Sequence, residues 1–359
     1  MRMPVSLRFR RTSASRRPAR TLAVAAAAVG AVLVVAGCSD APDDAASIVR
    51  TTTNIAGAGV VGTDRDTATA CPLPSAPDTT GGTRAVTHTA GVAQVPADPQ
   101  RIVVLSAAAL DAACALGLWE RVVGASTLPG PRPQPMYLGT GVLKVPSVGV
   151  LGGQPDPAQI AALKPDLILG DVAPAAGYDA LAALAPTVLV GGYGSWQSDF
   201  AAYAAGMNRA TAARAALDAY LAEARDTGIA INASQSQASV LRFSPTATQV
   251  QGADTFAAQV LSDTGVQRPT AQRAGSFDIP AGELDTEAEG DIIYVMFDSA
   301  EGEDHGKKVM RSDEWKKLGA ATDRRVFAVD DTVWHAHGLT AARAVVTDLR
   351  RSLNGYVTD

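Results

Sequence analysis

The sequence predicts an α/β protein with two lobes joined by one long helix. Three observations lead to this prediction. Short apolar strand-like runs alternate with helical stretches, an Ala-rich stretch without proline follows at residues 209–233, and the alternation then starts again. The length agrees, because the roughly 320 residues after the first 38 exceed one typical domain.

Residues 1–38 have the pattern of a bacterial export signal. Seven arginines precede an apolar run from Leu22 to Ala36, and the first acidic residue is Asp40. The ending Val35-Ala36-Gly37-Cys38 resembles a lipobox, in which the cysteine is acylated, for instance with palmitate. The alternative is a retained membrane helix, but a run of about 15 residues is shorter than the roughly 20 that a span needs. We therefore expect a lipoprotein anchored through Cys38 on the extracytoplasmic face of the cell membrane.

Residues 39–84 are rich in Thr, Ala, Gly, Asp and Pro and lack apolar periodicity, which predicts a flexible tether. Cys71 lies in it, and Cys114 follows in the first lobe. In an oxidising compartment the two could form a disulfide, whereas a buried free Cys114 is the alternative.

The first lobe is predicted to cover residues 85–206. Apolar runs at 102–105, 122–124, 166–169 and 187–190 are typical of buried strands. Helical stretches lie between them at 107–116, 156–163 and 181–184, and a Pro/Gly-rich loop covers 126–147. This order predicts a parallel sheet covered on both faces.

The linker helix is predicted within residues 207–234 and the second lobe at 235–359. Strands are expected at 239–243, 291–297 and 326–329, with helices at 255–263 and 338–353. The acidic segment at 301–305 is expected to be a solvated loop.

The charge balance excludes some functions. The chain has 31 Lys plus Arg and 36 Asp plus Glu, and removal of the seven N-terminal arginines would leave a net charge of about −12. An acidic body argues against nucleic-acid binding. The sequence also lacks a Gly-x-Ser-x-Gly elbow, a phosphate-binding glycine loop with a lysine and a His-Glu-x-x-His motif, so we expect no enzyme and no cofactor.

Several stretches resemble the class III, helical-linker periplasmic binding proteins. They are Asp98–Leu105, Asp111 with Ala115–Gly117, Arg121–Gly124, Ile160–Ile168, Asp291–Val295 and Trp315–Ala320. The resemblance implies two Rossmann-like lobes and a monomer that carries a ferric siderophore, cobalamin or haem to an ABC permease.

The family docks through one glutamate per lobe, which would be Glu283 in the second lobe. In the first lobe Ala158 takes that place, with Asp156 two positions earlier. An envelope interaction module that no longer serves a permease is therefore the alternative.

Ligand-binding residues are expected on loops between the lobes. Arg242 lies near the end of a predicted strand, where its guanidinium could bind anionic ligand oxygens or, alternatively, pair with an acid of the second lobe. Loop aromatics could pack on the ligand, with local packing as the alternative: Tyr137, Tyr193, Trp196, Phe277 and Trp334.

His335 and His337 have the spacing of one strand face, which could contact a metal or haem iron. We favour a structural or rim role for them and predict no metal site.

Overall fold

Parallel sheets form the centre of both halves of the chain. The computed structural model describes residues 53–172 and 177–353. The predicted signal, Cys38 and the first part of the predicted tether lie outside these residues. Within these two ranges, no helix combines the length and the apolar character needed to span a bilayer.

The described ranges contain fourteen strands. They are β1 (Asn54–Ile55), β2 (Ala58–Val60), β3 (Thr83–His88), β4 (Gly91–Pro96), β5 (Ile102–Val104), β6 (Val122–Thr127), β7 (Ser147–Val150), β8 (Leu167–Asp171), β9 (Thr187–Val190), β10 (Ala238–Phe243), β11 (Thr248–Val250), β12 (Phe277–Asp278), β13 (Ile292–Phe297) and β14 (Val326–Ala328).

The same ranges contain eleven α-helices. They are α1 (Ala107–Ala115), α2 (Pro157–Leu163), α3 (Tyr178–Ala182), α4 (Trp196–Gly206), α5 (Ala210–Ala230), α6 (Phe256–Thr264), α7 (Leu284–Glu287), α8 (Ala300–Met310), α9 (Gly319–Thr322), α10 (Asp331–Trp334) and α11 (Leu339–Leu353).

The first lobe contains a fully parallel sheet in the order β7-β6-β5-β8-β9. Every residue of β5 and β9 is buried, as expected for strands covered on both faces. The second lobe has a sheet in the order β1-β2-β14-β13-β10-β11-β12, in which the segment from β2 to β10 is parallel. The predicted two-lobed α/β fold is confirmed.

The predicted long helix is present as α5, which lies in the chain between the two sheets. It packs against α4 of the first lobe and α6 of the second. Its composition explains its length, because Ala, Leu, Arg and Glu are strong helix formers. Other helices begin at side-chain caps: Ser106, Asp156, Ser195, Thr255 and Ser299.

The tether prediction is wrong for residues 53–84. Residues 53–82, which we call the N-terminal strap, pack on both lobes: β2 pairs with β14, and Arg65 binds Asp348 of α11 at 2.8 Å. A disulfide then joins Cys71 to Cys114 in α1. The strap is held by backbone pairing, an ion pair and a covalent bond. None of these requires apolar periodicity, so its lack in the sequence does not indicate a flexible segment here.

The acidic segment at 301–305 is also not the loop expected from its composition. It forms the first half of α8, where Ser299 caps the helix by accepting a hydrogen bond from the Gly302 amide at 3.0 Å. An ion pair of 2.6 Å between Lys307 and Glu303 follows one turn later.

Candidate ligand-binding cleft

A cavity of about 660 Å³ lies where the carboxyl ends of β5, β6, β8 and β9 face the chain between α10 and α11. Parallel strands bring their carboxyl ends to one edge of the sheet, which is why the loops after them meet here. The first lobe contributes Ser106, Ser126, Asp171 and Gly191 to the wall, and residues 335–337 form the opposite side.

A tyrosine and a serine form a polar part of the cavity wall. The Tyr203 hydroxyl lies 3.0 Å from Ser106 Oγ and donates to the Gly170 carbonyl at 3.2 Å. Burial raises the pKa of Tyr203, and the nearby charges of Asp171 and Asp199 raise it further. The phenol therefore remains protonated and acts as a fixed hydrogen-bonding group of the wall.

One polar contact between side chains joins the two lobes across the cavity. Asp199, in the first turn of α4, lies 3.2 Å from His337 Nε2 through its Oδ2 atom. Burial raises the pKa of the Asp199 carboxyl, although His337 acts in the opposite direction. Burial also lowers the pKa of His335, and Arg242 contributes to that lowering. The wall thus carries the carboxyl groups of Asp171 and Asp199 and the imidazoles of His335 and His337.

A second cavity of about 910 Å³ lies at the carboxyl ends of β13 and β14. The N-terminal strap forms part of its wall through residues 61–67, and the loop around Arg132 and Tyr137 faces it from the first lobe. The strap therefore lines one end of the region between the lobes.

Arg242 has the paired arrangement that was one of its two predicted roles. Its Nε lies 2.7 Å from Asp331 Oδ1, and its Nη2 lies 3.1 Å from Asp331 Oδ2. These hydrogen bonds raise the pKa of Arg242 above its ordinary value despite partial burial. The carboxylate thus occupies the fork of the guanidinium that was predicted to meet a ligand.

Two tryptophans predicted to bind ligand are instead buried in the protein core. Trp196 is 0% exposed and packs edge-on against Tyr220 of α5 at 5.1 Å. Trp334 is 1% exposed, lies 4.5 Å from the Tyr294 ring and donates from Nε1 to Asp348 at 3.0 Å. Both residues lie at ends of helices, where large rings fill the junction between helices and sheet, so this part of the prediction is wrong.

The other predicted aromatics differ in position. Tyr137 is 3% exposed, lines the second cavity and donates its hydroxyl to Asp111. Tyr193 is 47% exposed, and Phe277 is half-buried against the second-lobe core. Neither Tyr193 nor Phe277 lines either of the two cavities.

His335 and His337 do line the first cavity, but in the turn between α10 and α11. The strand geometry assumed for them is therefore wrong. In the part of the chain that the structure describes, no three His, Cys, Asp or Glu side chains form a group able to hold a metal ion.

The predicted docking carboxylates both lie at helix starts. Glu283 is exposed at the first position before α7. Asp156 caps α2, accepting from the Ala158 amide at 2.9 Å and the Gln159 amide at 3.2 Å. These bonds, with one from the Gln159 side chain, lower the pKa of Asp156.

Five polar residues of the cavity wall were not among the predicted site residues: Ser106, Ser126, Asp171, Asp199 and Tyr203. Two of them have a signal in the sequence, because Ser106 closely follows β5 and Asp171 ends β8. Ligands of parallel α/β sheets bind at these carboxyl ends of the strands. Asp199 and Tyr203 belong to α4, which was not predicted.

Comparison with known proteins agrees with this geometry. The family model described as "Periplasmic binding protein" matches residues 102–333. The probable siderophore-binding lipoprotein YfiY of Bacillus subtilis is 30% identical over 284 residues, covering 74% of this chain and 86% of YfiY. The putative ABC transporter substrate-binding lipoprotein YhfQ of the same organism is 27% identical over 293 residues, covering 75% and 88%.

Solved structures show the same fold. Staphylococcus aureus SirA complexed with staphyloferrin B superposes with a TM-score of 0.67 at 24% identity, covering 76% of this chain and 99% of SirA. The petrobactin-binding protein YclQ of Bacillus subtilis gives a TM-score of 0.62 at 21% identity, covering 76% and 99%. From the family match and the YfiY similarity together, this chain belongs to the periplasmic binding protein family.

Proposed function

We propose that the protein captures a ferric siderophore outside the cytoplasmic membrane and delivers it to an ABC permease. The observation that carries the proposal is the cavity at the carboxyl ends of the first-lobe strands, in a chain whose 30%-identical relative is described as siderophore-binding. Membership of a family of solute-binding proteins agrees with a binding role rather than a catalytic one.

The chemistry of the wall suits a ligand with apolar arms around a polar centre. Apolar contact comes from Leu105, Val150, Leu151, Val172 and Val190. Hydrogen bonds can come from Ser106 and Tyr203. Small-molecule sites commonly combine such an apolar wall with a few oriented polar groups.

Titration of the purified protein with ferric hydroxamate, catecholate and mixed-type siderophores tests the proposal, with quenching of tryptophan fluorescence as the signal. We expect saturable quenching by at least one class at micromolar concentration or below. Absence of saturation with every ferric chelate would refute siderophore capture.

Haem is a second candidate, because His335 and His337 line the cavity and His337 is 43% exposed. Haem binding predicts a Soret shift on mixing that is lost in the double variant His335→Ala/His337→Ala. A shift that survives in this variant would exclude axial ligation by these two residues.

Attachment and delivery form the remaining part of the proposal. We propose acylation of Cys38 and docking through the exposed Glu283, with Asp156 as the first-lobe counterpart. Labelling with a palmitate analogue should modify the wild type and not a Cys38→Ala variant. Purification from membranes should recover a permease with the wild type and less of it with Glu283→Lys. Recovery of other envelope proteins without any permease would favour the interaction-module alternative.

A further inference from the structure

Carboxylates supply the acidic charge of the first cavity. Asp171 ends β8 and Asp199 lies in the first turn of α4, and both line the wall. Both lie near enough to Tyr203 to raise the pKa of that phenol.

Asp199 has an incomplete set of partners. Its residue is 8% exposed, and its Oδ2 atom binds His337. Its Oδ1 atom is buried and has no well-formed hydrogen bond, although the Tyr193 amide lies near enough to favour the charged form of the carboxylate. A buried carboxylate oxygen of this kind is stabilised when a cationic or hydrogen-bond-donating group approaches it.

Two of the nearby arginines, Arg242 and Arg65, are already paired with acids of the protein. Arg242 makes a two-pronged pair with Asp331. Arg65, on the strap, pairs at 2.8 Å with the fully buried Asp348. Arg132 is exposed at the second cavity, but Asp298 and Glu303 line the same wall. An anionic ligand would therefore have to displace existing pairs to reach these two guanidinium groups, Arg242 and Arg65.

We infer that the cleft selects ferric chelates that are neutral or positively charged, the chemistry of trihydroxamates, over trianionic ferric catecholates. A protonated amine on the ligand would lie toward Asp199 and Asp171. The inference rests on the proposed siderophore function and specifies its ligand class. Its physical basis is the Coulomb energy between the chelate and the two carboxylates, and this energy is screened less at the buried Asp199 than at the exposed Asp171.

Three iron-loaded probes of different charge test the inference on the purified full-length protein: monocationic ferrioxamine B, neutral ferrioxamine E and trianionic ferric enterobactin. We expect ferrioxamine B to bind at least about tenfold more tightly than ferric enterobactin, with ferrioxamine E between them. Raising the salt concentration should weaken the binding of ferrioxamine B and leave the affinity for ferrioxamine E nearly unchanged.

Near-isosteric variants identify the residues responsible. Asp199→Asn and Asp171→Asn should each lower the affinity for ferrioxamine B by about fivefold and change the affinity for ferrioxamine E by less than about twofold. Asp313→Asn, at a 96% exposed side chain paired with Lys316, is the matched control and should change neither affinity. Circular dichroism spectra of the variants should match that of the wild type.

The outcomes separate the two proposals. Tighter binding of ferric enterobactin than of both ferrioxamines would overturn the charge inference while supporting siderophore capture. An unchanged ferrioxamine B affinity in both Asp variants would also overturn the charge inference. If none of the ferric chelates binds, siderophore capture itself fails, and the charge inference fails with it.

Discussion

Removal of the Asp111 carboxylate should destabilise the protein far more than removal of an ordinary helix cap. Asp111 belongs to α1 of the first lobe and is 0% exposed. It accepts hydrogen bonds from the amides of Thr340 at 2.9 Å and Ala341 at 3.0 Å, at the start of α11. The Tyr137 hydroxyl also donates to it. One buried carboxylate therefore caps a helix that is distant in sequence and holds it against the first lobe.

The structure sets the size of the expected effect. Asp111→Ala removes two charge-assisted hydrogen bonds, each contributing about 1.5–3 kcal/mol, and leaves buried amides without partners. We expect a loss of about 3–5 kcal/mol in the free energy of unfolding. Gly338→Ala should act in the same direction, because a Cβ there would collide with the Asp111 carboxylate.

Urea unfolding followed by circular dichroism measures this loss. Asp156→Ala is the matched control, because Asp156 caps its own helix α2 at the surface and its removal should lower the free energy of unfolding much less. Amide hydrogen exchange at Thr340 and Ala341 should accelerate in Asp111→Ala and remain unchanged in Asp156→Ala. Equal losses in the two variants would show that the contact between α1 and α11 adds no stability beyond that of a surface helix cap.

Three further predictions concern the remaining supports of the fold. Replacing Cys71 and Cys114 by Ser should lower the free energy of unfolding by about 2–4 kcal/mol, and reductant should lower that of the wild type but not of the variant. Ala216→Pro should lower the free energy of unfolding by about 3 kcal/mol or more, because it breaks α5. Small-angle scattering of the wild type should show little change in radius of gyration on ligand binding, since α5 resists bending. A large decrease would mean that α5 does not restrain the lobes. Burial raises the pKa of Asp98, but hydrogen bonds from two arginines outweigh it and hold that pKa below the ordinary 3.8. The stability due to Asp98 is therefore complete above that value and is lost as the pH falls through the lower folded-state pKa. From pH 5 downward, the free energy of unfolding should therefore fall less steeply with pH for Asp98→Asn than for the wild type.

The sequence predicts the parts of this fold that depend on local patterns. β5 and β9 are short apolar runs, and α5 is a long stretch of strong helix formers, so each was found within a few residues of its observed bounds. Caps add to this local information, as Ser106 does for α1. Such elements are encoded by neighbours in the chain, and a single sequence is enough to find them.

Contacts between distant residues were not predictable in the same way. The strap packs through a pair between Arg65 and Asp348, which are 283 positions apart. Trp196 follows a Gly-rich stretch that indicates a loop, yet it starts α4 and fills the space beside α5. The partner that fixes each of these residues lies in another element, and no local pattern identifies it.

Two connections between the lobes, α5 and the N-terminal strap, hold one edge of the cleft in place. α5 lies between the two sheets in the chain and packs on a helix of each lobe. The strap adds a second connection, because β2 extends the second sheet while Cys71 is bonded to α1 of the first lobe. The Asp78 carboxylate completes the strap by accepting from the Ala210 amide at 2.6 Å, at the start of α5. A wide separation of the lobes would have to stretch the strap as well as bend α5. Ligand affinity in such a protein depends mainly on the groups already placed in the cleft wall, which is why the charges of Asp171 and Asp199 are expected to determine which chelates bind.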